Sequence, residues 1–331
     1  LLNGCTGLEQ HKIALGVSAM PAKTPYVRPD VANLLAMMAA NPGPSFTDMS
    51  PAEGRAMYNA MGQMLELPRG EISSTDLALP GGIKARLYTP TALEDGSVVA
   101  YYHGGGWVIG DLDTHDPLCA EIARALGRRV LSVDYRLAPE ARFPAAAEDC
   151  LAATRWLAGS PAEVGNAVTG IIPAGDSAGG HMAALVTREL HGQLPVPIVA
   201  QWLIYPVTDM TAAEGSMVEL GEGYVLTKAT MDWFIDAYMG SATDKLLHPW
   251  ASPLHAETLD GLPPTMLLTC GLDPLRDQGR AYAGRLIEHG VRTIFREAAG
   301  QIHGCFTMRQ GIPSAQDDLA GCIADLKLLL A

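Results

Sequence analysis

Gly170-Ile171-Ile172-Pro173-Ala174-Gly175-Asp176-Ser177-Ala178-Gly179-Gly180-His181 decides how the rest of the chain is read. A short β-branched run reaches Gly175, and Met182, Leu185, Val186 and Leu190 then recur at spacings of three and four. That pattern predicts a strand, a sharp turn and an amphipathic helix. Gly175-Asp176-Ser177-Ala178-Gly179 fits G-x-S-x-G, in which a serine sits on a strained turn with its hydroxyl at the positive end of the helix. The glycines have a physical task, because Cβ atoms two residues either side of the serine would clash. The same residues also fit a plain strand–turn–helix joint, so the remaining chain has to discriminate. Pro173 is discordant: a central strand accepts proline only where the missing donor falls at the strand's end.

Length and composition narrow the class. The 331 residues, 48% of them hydrophobic, suit one large α/β domain with an appendage or two smaller domains. A formal charge of −13 argues against nucleic acid or an anionic membrane as partner. Cys5, Cys119, Cys150, Cys270, Cys305 and Cys322 are scattered singly. They read as buried small side chains in a reducing compartment, which implies a cytoplasmic location. No apolar run approaches the roughly 18 residues of a membrane span, so stable membrane insertion is not expected. Leu2-Asn3-Gly4-Cys5 has the shape of a lipoprotein cleavage site, but no basic n-region or apolar h-region precedes it. Residues 1–19 are expected to be vector-derived or disordered, ahead of a natural start at Met20.

Outward from the serine, the pattern alternates. Ile83–Tyr88 reads as a half-exposed strand, and Val98–Tyr102 and Val130–Val133 as buried ones. Further strands are expected at Val199–Tyr205, Thr265–Cys270 and Thr293–Glu297. Helical segments fall near 116–126, 144–158, 177–191, 228–240, 277–289 and 316–330. Strands alternating with helices predict a mostly parallel central sheet covered on both faces, an α/β fold. Nearer the start, Pro29-Asp30 can cap a helix with Val31, Leu34, Leu35 and Met38 on its apolar face. Ser50-Pro51-Ala52-Glu53 has the form of a capping box, with Met57, Met61, Met64 and Leu65 sharing the face that follows. These methionine-rich helices suit either simple core packing or a mobile, adaptable cover.

Three further stretches carry chemistry. Tyr102-His103-Gly104-Gly105-Gly106-Trp107 follows a strand, and its glycines can turn backbone N–H groups toward a reacting atom, as an oxyanion hole requires. Asp273, in Cys270-Gly271-Leu272-Asp273, sits where a carboxylate can orient an imidazole, whereas Asp277 reads as a helix cap. His303 lies in a loop after the last strand. Serine, aspartate and histidine thus follow one another at strand ends, in the chain order Ser…Asp…His. His181 and His191 lie too near Ser177 in sequence to fold back as its base. His115 reads as part of a helix-start loop, and His248, His255 and His289 as single polar positions. No H-E-x-x-H or C-x-x-C spacing marks a metal site.

With these motifs the chain resembles the hormone-sensitive lipase family of carboxylesterases, the bacterial branch with HGGGW and GDSAGG, which has the α/β-hydrolase fold. The likeness extends through Asp134-Tyr135-Arg136-Leu137-Ala138-Pro139-Glu140, Phe143-Pro144-Ala145-Ala146, Tyr205-Pro206 and Asp273-Pro274-Leu275-Arg276-Asp277. It implies Ser177 as nucleophile, Asp273 as orienter and His303 as base. Gly105, Gly106 and Ala178 would supply the oxyanion hole, with Gly104 an outlying member. It also implies a helical cap, whose candidates are residues 20–75 and an insertion at about 213–239, on a catalytic domain of 76–331. The expected activity is hydrolysis of a short- to medium-chain acyl ester, a small-molecule substrate, through an acyl-enzyme and without metal or organic cofactor. Amide, lactone or carbamate hydrolysis and a non-catalytic ligand receptor stand as alternatives on the same scaffold. A homodimer through an edge strand is implied by the resemblance alone. Cys305 stands where the family usually has phenylalanine, with an expected effect on the pocket wall near His303.

Overall fold

Apolar runs too short for helices and too continuous for exposed strands build the centre of the molecule. The computed structural model describes residues 25–331; the expectations for Cys5 and residues 1–19 lie outside the described residues. In chain order come α1 (Pro29–Ala40), α2 (Pro51–Leu65), β1 (Ser73–Ala78), β2 (Lys84–Thr89), β3 (Ser97–Tyr102), α3 (Asp116–Leu126) and β4 (Arg129–Asp134). Then follow α4 (Ala145–Ala158), β5 (Gly170–Asp176), α5 (Ala178–Leu190), β6 (Gln201–Ile204), the single turn α6 (Ser216–Glu219) and α7 (Lys228–Met239). The chain closes with β7 (Thr265–Leu272), α8 (Arg276–Glu288), β8 (Thr293–Ile302) and α9 (Ser314–Leu330).

Among the described residues the strands form one eight-stranded sheet in the order β1-β2-β4-β3-β5-β6-β7-β8. β2 runs antiparallel to both β1 and β4, and every later pairing is parallel. Every residue of β3, β5 and β6 is buried, because helices cover both faces. Alternation sorts the side chains: Val98, Ala100 and Tyr102 join Leu151, Met182, Leu185 and Leu286 of α4, α5 and α8. Val99 and Tyr101 point the other way, toward Leu118 and Ile122 of α3, Leu319 of α9 and Leu34 of α1.

Several expectations need correction. Pro173 is not at a strand end but in the middle of β5, opposite Ala100 of β3. On its other side the pairing slips by one residue between the bridge Ile171–Ile198 and the pair Ala174–Trp202. Ile171 donates its N–H to Pro197 on that side (2.9 Å), so alternation aims Pro173 at the same edge, inside the slip, where no ladder bond needs its N–H. β1 begins at Ser73, so the sheet crosses the expected 75/76 domain boundary. Pro29 opens α1, but its N-cap is Arg28, and Asp30 instead accepts the Ser314 N–H at 2.8 Å. The Ser50–Glu53 capping box is present. The buried face of α2 runs through Gly54, Tyr58, Met61 and Leu65, while Met64 is 58% exposed. Asp277 does not cap α8: its carboxylate accepts the Ser216 N–H (2.9 Å) and its own N–H donates to Ser216 Oγ (3.0 Å), tying α6 to α8.

Between β5 and α5 the chain turns so tightly that no side chain fits two residues either side of Ser177. A Cβ on Gly175 would overlap the Gly179 and Tyr102 carbonyls, and one on Gly179 would overlap Tyr102. A few residues along α5, His181 is fully buried, its Nδ1 accepting Trp107 Nε1–H (3.1 Å) and its Nε2–H donating to the Trp250 carbonyl (2.9 Å). Trp107 in turn stacks on Tyr238 of α7 at 4.7 Å. His103, also fully buried, stacks on Tyr135 at 4.3 Å.

Two outcomes follow from this packing. Gly179→Ala is expected to cost about 3 kcal/mol, the upper range for overpacking, and to lower the thermal midpoint accordingly. Burial first of all holds His103 and His181 down to about 4, from an ordinary 6.5. The unfolded chain therefore takes up two protons that the fold refuses, so stability is complete above about pH 6.5 and is lost as pH falls toward about 4. Thermal unfolding measured from about pH 7 to pH 4 checks this, and a flat midpoint across the window contradicts it.

Candidate active site

Because β3, β5, β7 and β8 run parallel, their carboxyl ends meet at one edge of the sheet, where open α/β folds place their sites. Ser177 stands there at φ 57°, ψ −119°, a conformation that an ordinary residue adopts only under constraint. The constraint is visible. Its N–H donates to Ile204 (2.8 Å) and its carbonyl accepts from His181 (3.0 Å). Asp273 follows β7 directly, and its Oδ1 is occupied by the Leu275 N–H at 2.8 Å. His303 follows β8.

The structure brings these three together. His303 Nδ1–H donates to Asp273 Oδ2 at 2.7 Å, and Ser177 Oγ–H donates to His303 Nε2 at 2.8 Å. Asp273 is fully buried, while Ser177 and His303 are 8% and 9% exposed. A tilted Tyr205 ring lies 4.9 Å from the imidazole. Such a chain can withdraw a proton from the serine while the carboxylate fixes the tautomer and steadies the resulting imidazolium. Cys305, two residues on, turns inward rather than forming the pocket wall. Its Sγ lies 3.8 Å from Cys270 Sγ, both side chains are buried, and burial pushes the Cys270 thiol far up.

Opposite the serine, the glycine loop is held by its carbonyls. The Gly104 carbonyl accepts from His103 Nδ1–H at 2.8 Å, and the Gly105 carbonyl accepts the N–H groups of Val108 (3.1 Å) and Ile109 (2.9 Å). In a trans peptide the N–H points away from the carbonyl, so the N–H groups of Gly105 and Gly106 face outward from these anchors. Both residues line the cavity beside Ser177, and among the described residues neither N–H has an acceptor. Nor does that of Ala178, the first residue of α5. Gly104 is different, and its expected membership is corrected: its N–H donates to Asp176 Oδ1 at 2.9 Å and is not available. Gly105 (φ 116°) and Gly106 (φ 57°) need the freedom of glycine, and a Cβ on Gly106 would overlap the Phe234 ring.

The cavity has a volume of about 100 Å³ and opens to solvent. Phe46, Tyr58 and Met61 approach from the α2 side, and Leu226, Met231 and Phe234 from around α7. α2 also grips the glycine loop from outside: Arg55 Nε–H donates to the Val108 carbonyl (2.8 Å) and Asn59 Nδ2–H to Asp111 (3.0 Å). Sequence reasoning overlooked Tyr58, because the intervening Gly54 breaks the apolar count along its face. Phe46, alone in a polar stretch, carried no signal. Among the described residues no three His, Cys, Asp or Glu side chains cluster as metal ligands would, and no helix is long and apolar enough to cross a membrane.

Comparison with known proteins agrees with this architecture. Residues 99–307 match a family model described as alpha/beta hydrolase fold. The carboxylic ester hydrolase LipN of Mycobacterium tuberculosis is 40% identical over 77% of this chain and 70% of its own length. The carboxylesterase NlhH of the same organism is 34% identical over 92% of this chain and 97% of its own. Among solved structures, a thermostable esterase from Pseudomonas putida superposes with a TM-score of 0.87 at 29% identity, covering 93% of this chain and 99% of that one. With the family model spanning most of the parallel sheet and such relatives matching along their lengths, the chain belongs to the alpha/beta hydrolase fold family, in its hormone-sensitive lipase branch.

Proposed function

We propose that this protein is a serine carboxylesterase of short- to medium-chain acyl esters, with Ser177 as nucleophile, His303 as general base and acid, and Asp273 as its orienter. One observation carries the reading. Ser177 Oγ, His303 and Asp273 form a continuous hydrogen-bonded chain of 2.8 and 2.7 Å, beside the unpartnered N–H groups of Gly105, Gly106 and Ala178. The hydroxyl attacks the ester carbonyl as His303 takes its proton, and those N–H groups hold the tetrahedral oxyanion. His303 returns the proton to the departing alcohol. Water then repeats the sequence on the acyl-enzyme.

The names of the relatives support an ester as the scissile bond. α2 and α7, with the segments around them, act in this reading as a cap over the serine. Phe46, Met231 and Phe234 bound the apolar space for the acyl chain. Cys119, Cys150, Cys270, Cys305 and Cys322 are buried and form no disulfide among the described residues, which favours the reducing cytoplasm as location. Pairing of two copies along an edge strand of the sheet belongs to the same reading, on family resemblance alone.

p-Nitrophenyl esters from acetate to octanoate are expected to be hydrolysed, with one covalent organophosphonate adduct at Ser177. Ser177→Ala should lower kcat by about 10⁶-fold and abolish the adduct, and retained turnover would end the reading. Met231→Ala enlarges the acyl space. It is expected to raise kcat/KM for decanoate relative to butyrate by about tenfold, measured as a ratio within each variant.

A further inference from the structure

Beneath the glycine loop lies a second buried acid–base pair that the esterase mechanism does not use. Asp176, the residue before Ser177, is 2% exposed. Its Oδ1 accepts the Gly104 N–H at 2.9 Å and the Tyr101 hydroxyl at 2.8 Å. His115, fully buried in the loop that starts α3, places Nε2 3.2 Å from Asp176 Oδ1 and 3.4 Å from Oδ2. The same nitrogen lies 3.3 Å from Gly104 N. Among the described residues no lysine or arginine reaches Asp176.

Hydrogen-bond bookkeeping assigns the directions. Thr114 Oγ1 accepts the Asp111 N–H (2.9 Å), and its own hydrogen can serve His115 Nδ1, 2.9 Å away, which leaves the ring's proton on Nε2. Nε2–H then donates to the carboxylate. The neighbouring His103 is no competitor, because it is held neutral and spends Nδ1–H on the Gly104 carbonyl. Burial works to raise the Asp176 carboxyl while the charge and hydrogen bond of His115 lower it, and the balance falls below the ordinary carboxylate value.

Gly104 is thereby clamped at both ends, its N–H by Asp176 and its carbonyl by His103. The fit leaves no slack, since a Cβ on Gly104 would overlap the Asp176 carboxylate. Were His115 absent, that carboxylate would keep only the Tyr101 and Gly104 bonds on Oδ1, and a less well-partnered buried anion would stand under a loop that in this reading holds an oxyanion. Both effects act on the transition state and leave the apolar cavity unchanged.

We propose that His115 is a positioning residue of the oxyanion loop: by bonding Asp176 it fixes the anchor of Gly104 and so aims the N–H groups of Gly105 and Gly106. The inference rests on the esterase reading above.

Steady-state hydrolysis of p-nitrophenyl butyrate by wild type, His115→Leu and His115→Gln tests it, with butylboronic acid as a probe that forms a tetrahedral adduct on serine. The glutamine amide reaches about as far as Nε2 and keeps a donor to Asp176. His115→Leu is expected to lower kcat about 10²-fold, the scale of a loop misplaced by an ångström, and to weaken boronate inhibition in proportion. KM should stay within about twofold, and His115→Gln should recover most of the loss. If His115→Leu does not fold, His115→Asn, polar but too short to reach Asp176, takes its place with the same expectations. A leucine variant with wild-type kcat, a glutamine variant as impaired as leucine, or a loss carried by KM overturns the assignment. Wild-type activity separates the two ideas. An inactive wild type overturns the esterase reading and this inference with it, whereas an active wild type matched by its variants overturns this inference alone.

Discussion

The structure depends on one tight turn, the passage from β5 to α5 through a serine at positive φ. Glycines at 175 and 179 let the first turn of α5 rest directly on the Tyr102 carbonyl at the end of β3. That contact sets more than the serine. It puts the end of β3, and the glycine loop that leaves it, within hydrogen-bond reach of Asp176, so the candidate nucleophile and candidate oxyanion donors share one rigid joint. The backbone strain at Ser177 persists because Ile204, His181 and the packed glycines over-determine it.

Much of the fold is legible in the sequence because its local signals agree. β3, β4 and β5 are short apolar runs, glycine ends α3 at Gly127, and the helices that follow show periodic apolar faces. The strand ends that gather Ser177, Asp273 and His303 follow from parallel topology, which the alternation of strands and helices implies. Pro173 resists such reading, since its tolerance comes from a register slip on the neighbouring strand, a long-range property with no local signature. Gly104 fails for a similar reason: three equal glycines cannot reveal which N–H is already spoken for by a buried carboxylate. Tyr58 and the approach of Cys270 to Cys305 are tertiary facts, set by which helix face turns inward and how two loops meet.

The covering helices are more than a roof. Arg55 on α2 holds the Val108 carbonyl and Phe234 on α7 presses on Gly106, so both reach the same loop that Asp176 and His115 hold from below. A small helical segment therefore shapes the space for a ligand and steadies the groups that would stabilise its transition state. The arrangement ties recognition to chemistry through contact rather than through motion at a distance.

The separation of the three central residues has a consequence in the order of synthesis. His303 lies 126 positions after Ser177 and on the far side of β6, β7 and β8. A growing chain on the ribosome presents its serine long before the imidazole that would activate it exists. Domains complete their packing as units, and here His303 and Asp273 arrive with the last parallel strands. Under the proposed roles, reactivity would be withheld from every partial chain until the sheet is closed by its final strand.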